Sequence, residues 1–321
     1  MRMWVTALFG LALVALAAWA GWRYVSAPPS LDADARAALY EDPLPAPQTG
    51  MRVFHLGHSL VGRDMPAMVA QLAAAAGIDG HSHHSQLGWG TSLREHWDPA
   101  LPINGFEVEN NHPRYRDAHA ALAEGVDALI LTEMIALSDA IRYHDTPVHL
   151  ANWARLARAG APEARIYLYE TWHHWTKGDD WLERLDSDAR DLWEGTVLAQ
   201  AMALDGVGTV HVIPGGRAMG AFVRALDGQG GLPGLDDREG LFAPGADGAV
   251  DGIHLNDLGA YLIALVHVAT LYQIDPRGLP HALLRADGTP ADAPGADVAA
   301  LMQSVVFDVV RQIPTTGLPP A

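Results

Sequence analysis

Val53-Phe54-His55-Leu56-Gly57-His58-Ser59-Leu60 is a short apolar run that stops at a glycine, presents a serine, and hands over to small and apolar residues at helical spacing across 65–76. A strand-to-helix turn of this kind puts a hydroxyl beside the positive end of a helix dipole. Further apolar runs at 128–132, 165–169 and 210–213 are each followed by helix-compatible sequence. Continuous apolar strands alternating with helices are buried on both faces, so the expected fold class is α/β: a three-layer α/β/α sandwich around a mainly parallel sheet.

Outward from that core, the chain divides into three expected parts. Residues 1–27 carry an uncharged, Ala- and Leu-rich run from Trp4 to Trp22, bounded by Arg2 and Arg23. As a helix it would span roughly 28 Å at about 1.5 Å per residue, enough to cross a bilayer core. It reads as a transmembrane signal anchor, or as a signal peptide cleaved after Ala18-Trp19-Ala20; either way the remainder is exported, facing the periplasm or exterior. Residues 28–50, with Pro43, Pro45 and Pro47, read as a Pro/Ala-rich linker with one short helical piece near 35–40. Residues 51–315 form the expected catalytic domain. Its Gly-rich stretch 227–248 reads as a surface loop, and Val298, Leu301, Met302, Val305, Val306, Val309 and Val310 mark a final amphipathic helix.

The 321 residues are 49% hydrophobic, sufficient for a substantial core, and carry a net charge of −17. That acidity excludes the basic footprint of a nucleic-acid partner. With no cysteine there is no disulfide, thiolate nucleophile or Cys-ligated metal. His81, His83 and His84, near His55 and His58, invite a metal reading, but His81 and His83 would share one strand face with His84 opposite, and no carboxylate accompanies them. They are expected to be lone polar histidines at an exposed strand end, with no metal and no cofactor.

A serine becomes a nucleophile only with a base, and the base needs an orienting group. Asp251-Gly252-Ile253-His254 supplies a carboxylate three residues before an imidazole, ahead of an amphipathic helix at about 256–272. By itself, Gly57-His58-Ser59 is equally a helix-capping turn. In this order, each ahead of its own helix, the two segments resemble the SGNH (GDSL-like) hydrolase superfamily over about 51–272. The resemblance implies a flavodoxin-like sandwich and a Ser59, His254 and Asp251 triad. It also implies an oxyanion hole from the Ser59 and Gly90 amides, with Gly88 as second choice to Gly90.

Where that superfamily places an asparagine, this chain reads Thr132-Glu133-Met134. Thr132 could donate through its hydroxyl, and Asn110 or Asn111 could substitute, whereas an ionised Glu133 would oppose the oxyanion unless turned away. Trp89, Glu133, Trp172 and His173 are the expected substrate-pocket residues. Indole faces stack on sugar rings and acyl chains, so a carbohydrate ester or similar small ester is the expected substrate. The expected activity is that of an exported esterase removing a short acyl group. An acyltransferase using the same triad, or a decayed glycan- or partner-binding domain, are the alternatives.

Overall fold

The computed structural model describes residues 28–245 and 248–319. Its centre is a sheet of β1 (Arg52–His58), β2 (Ser82–Gly88), β3 (Ala128–Leu131), β4 (Arg165–Glu170) and β5 (Val210–Pro214), in the order β2-β1-β3-β4-β5. Every pairing is parallel. Successive strand residues point to opposite faces, and the apolar runs feed two separate cores. Val53, Ile130, Tyr167 and Ile213 pack beneath α1 (Asp64–Ala75), α4 (Gly215–Asp227), α5 (Asp257–Tyr272) and α6 (Ala296–Gln312). Phe54, Leu129, Ile166 and Val212 pack on the other side against α2 (Leu93–Trp97), α3 (Thr146–Gly160) and the π-helical turn Ala189–Leu198. The α/β/α sandwich read from the sequence is therefore the fold.

Strand β1 runs one residue past Gly57 before the chain turns into α1. A Cβ on Gly57 would lie 2.4 Å from Thr132 Cγ2, so only glycine lets the ends of β1 and β3 close together. The strand order reverses at β1, which opens a crevice beyond the carboxyl ends of β1 and β3. A small antiparallel ribbon, β6 (Phe242–Pro244) and β7 (Val250–Leu255), stands beside it. The C-terminal helix forms as expected, against α4 and α5.

The reading of the histidine-rich segment needs correction. Strand β2, Ser82-His83-His84-Ser85-Gln86-Leu87-Gly88, lacks an apolar run and lies at one edge of the sheet, where a polar strand is tolerated. Yet His83 is buried rather than exposed: its ring lies 6.4 Å from that of His55, which lies 5.9 Å from that of His267 on α5. Burial lowers His83 to about 3 and His267 to about 4, and holds His55 well below the usual value. Residues 28–50 are bonded to the domain: the Tyr40 hydroxyl donates to the Val210 carbonyl at 2.6 Å and Leu44 N–H to the Gly317 carbonyl at 2.9 Å. The helical piece there is Ala33–Ala38. Among the described residues no helix is long and apolar enough to cross a membrane; the run read as an anchor or signal peptide lies in 1–27, outside them.

Candidate active site

Ser59 is the first residue beyond β1, at the mouth of the crevice. Although 195 residues apart in sequence, its Oγ and His254 Nε2 are 3.0 Å apart. On the other side of the ring, Nδ1 is 2.9 Å from Asp251 Oδ2. The other Asp251 oxygen accepts from the Ile253 and His254 N–H groups at 2.7 and 2.9 Å, so one carboxylate both fixes the local backbone of β7 and orients the ring. Partial burial works against its charge, but the His254 backbone N–H and ring, with the Ile253 N–H, outweigh this and hold Asp251 below the usual value. An ionised Asp251 fixes the proton on Nδ1, leaving the Nε2 lone pair to accept from the Ser59 hydroxyl. Asn256 then caps α5, accepting from Leu258 and Gly259 N–H.

The Asp251–His254 segment of β7 is held from the loop after β4. Trp172 Nε1–H donates to the Ile253 carbonyl at 2.8 Å, Trp175 Nε1–H to that of Asp251 at 3.3 Å, and Trp175 N–H to that of Gly252 at 3.1 Å. Trp172, expected in the substrate pocket, is instead 2% exposed beneath this segment. His173 is also outside the pocket, with Nδ1 3.7 Å from Asp188. The residue this loop contributes is His174. It joins Ser59, Trp89, Gly90, Glu109 and His254 around a cavity of about 640 Å³. Which of two adjacent histidines reaches the cavity depends on the loop's path, which has no local sequence signal, and the same holds for Glu109.

The candidate oxyanion donors separate. Gly90 lines the cavity, whereas Gly88 sits within β2 opposite His58. Thr132 spends its one hydroxyl proton on the Tyr169 carbonyl at 2.8 Å, buried between strands, and is withdrawn from the set. Asn110 is locked by bonds to Leu87 N–H and C=O and the Phe106 carbonyl; Asn111 lines a neighbouring cavity. Glu133 is not a pocket residue. It is fully buried and turned away, accepting from Met134 N–H at 2.8 Å, the Thr146 hydroxyl at 2.9 Å and Leu93 N–H at 3.3 Å. Leu93 and Thr146 open α2 and α3, so the carboxyl sits where helix dipoles favour an anion. Burial nevertheless raises it to about 7.

Two further histidines shape the turn without joining it. His58 Nε2–H donates to the Glu133 carbonyl at 2.8 Å, and burial lowers the ring to about 4. His96 Nε2–H donates to the Gly57 carbonyl at 2.7 Å while its Nδ1 accepts from Gln86. Among the described residues no three His, Asp or Glu side chains gather as a metal site.

No protein-family model and no curated protein matches the sequence. Among solved structures, a chain from Parabacteroides merdae, provisionally named as a GDSL-like lipase, aligns over 68% of this chain and 94% of its own, at 13% identity and a TM-score of 0.40.

Proposed function

We propose that this chain is a serine ester hydrolase in which Ser59, His254 and Asp251 carry the reaction. The observation that carries the reading is the continuous relay from Ser59 Oγ through His254 to Asp251, at 3.0 and 2.9 Å, opening on a cavity beyond the sheet's carboxyl edge. Ser59 Oγ attacks the acyl carbonyl as His254 Nε2 takes its proton. The tetrahedral oxyanion is met by the Ser59 and Gly90 backbone N–H groups. Collapse breaks the ester C–O bond, and His254 returns the proton to the leaving alcohol. Water, deprotonated by the same imidazole, then releases the acid and restores Ser59.

The substrate in this reading is an O-acylated carbohydrate or small ester losing acetyl or another short acyl group. An alcohol in place of the second water would make the same residues a transferase. A second, non-catalytic reading is favoured by one observation: among the described residues the cavity lining contains no Asn or Gln to stand where the superfamily's asparagine does. The reading also includes export through residues 1–27, tested by the mature N-terminus, since a start at Gly21 excludes an anchor. For the chemistry, residues 28–321 are incubated with p-nitrophenyl acetate. Release of p-nitrophenol that vanishes in Ser59→Ala is expected, and equal rates for the two proteins overturn the mechanism.

A further inference from the structure

Trp89 leaves a large apolar surface open, being 50% exposed, whereas Trp153, Trp172, Trp181 and Trp193 are buried. Its orientation is nonetheless held on three sides. A Cβ on Gly105, where φ is +69°, would lie 2.2 Å from indole Cδ2 and 2.5 Å from Cε2. Cδ2 is a ring-fusion atom with no free in-plane direction, so the Gly105 backbone lies against the face of the indole. The Nε1–H donates to Glu109 Oε1 at 2.6 Å, and the Trp89 N–H to the Asn104 carbonyl at 2.8 Å. Asn110 anchors the same segment to the end of β2. What remains of the indole borders the cavity containing Ser59 and His254, and Glu109 lines that cavity too.

A fixed indole face beside a carboxylate offers two complementary surfaces. The C–H face of a pyranose packs on the first without losing hydrogen bonds, and its hydroxyls donate to the second. An immobile face also loses little conformational entropy on binding. The Glu109 charge, on a chain of net charge −17, repels an anionic ring. We propose that Trp89 is the stacking platform for a neutral, O-acylated sugar ring, with Glu109 accepting from its hydroxyls and the ester carried to Ser59. This rests on the reading of Ser59 as nucleophile.

The test uses methyl glycosides of glucose and xylose, each bearing one O-acetyl group, with ethyl acetate as the ester without a ring. In Trp89→Ala, the ratio of kcat/KM for the sugar ester to that for ethyl acetate falls at least about tenfold, chiefly through KM. Trp89→Phe keeps a flat face and retains most of the ratio, which separates stacking from misfolding. Gly105→Ala, which displaces the indole, lowers it. A ratio unchanged in Trp89→Ala overturns the proposal. Binding is read separately by calorimetry on Ser59→Ala, which traps the ester unhydrolysed. Sugar-ester binding weakened at least about tenfold by adding Trp89→Ala supports the platform. Absent binding, or binding indifferent to Trp89, overturns it whether or not Ser59 proves to be a nucleophile.

Discussion

Lowering the pH from 7 to 5 removes much of the stability of this fold, because several imidazoles are buried neutral. His58, His96 and His267, all 4% exposed or less, are lowered by burial to about 4. In the unfolded chain each titrates near 6.5. The sign follows from which state binds more protons: between 6.5 and 4 the unfolded chain is protonated and the folded one is not. Stability from this source is therefore complete above pH 6.5 and is lost as pH falls towards 4. At pH 5 each of the three costs about 2 kcal/mol, or roughly 6 kcal/mol together. Glu133 works the other way: its raised value lets the folded state take up a proton first, returning about 2 kcal/mol over the same interval. The net loss of about 4 kcal/mol is large against a typical total of about 5–15 kcal/mol. His55, His83 and His211 are lowered as well and deepen it. Thermal unfolding at pH 7, 6 and 5 should show Tm falling by roughly 10 °C or more. His267→Leu should flatten that dependence. A Tm that holds or rises from pH 7 to 5 refutes the reasoning.

Asp251→Asn keeps the side-chain shape but removes the charge that holds the proton on His254 Nδ1; kcat for p-nitrophenyl acetate should fall about 10³–10⁴-fold with KM little changed. Thr132→Val removes a hydroxyl bonded only to the Tyr169 carbonyl, so it should cost about 1 kcal/mol in urea unfolding and leave kcat within about threefold; a loss like that of Asp251→Asn would restore Thr132 as an oxyanion donor. Gly57→Ala drives a methyl to 2.4 Å from Thr132 Cγ2 and should destabilise by about 1–3 kcal/mol, read from the urea midpoint.

The apolar strands at 53–56, 128–131, 165–169 and 210–213, their helices and the layer count were legible in the sequence because both faces of each strand are buried and side-chain polarity reports burial directly. Strand β2 escaped this rule: an edge strand tolerates Ser, His and Gln, so its polarity said nothing of His83 lying inside. Ser59, Asp251 and His254 could be singled out because the two short segments that hold them, taken together and in this order, carry a family resemblance. The directions taken by Thr132 and Glu133 could not be read, since their partners, Tyr169, Leu93 and Thr146, come from other elements.

By itself the sequence determined the layered fold through its apolar pattern, and offered the three residues proposed for the chemistry only through the resemblance that two short segments carry together. Tertiary structure alone decided that Ser59 and His254 meet across 195 residues, that Trp172 props β7 while His174 lines the cavity, and that Glu133 faces the core. The physical reason is that sheet order and loop path set distances between remote segments, and a side chain turns to whichever partner those segments bring within reach.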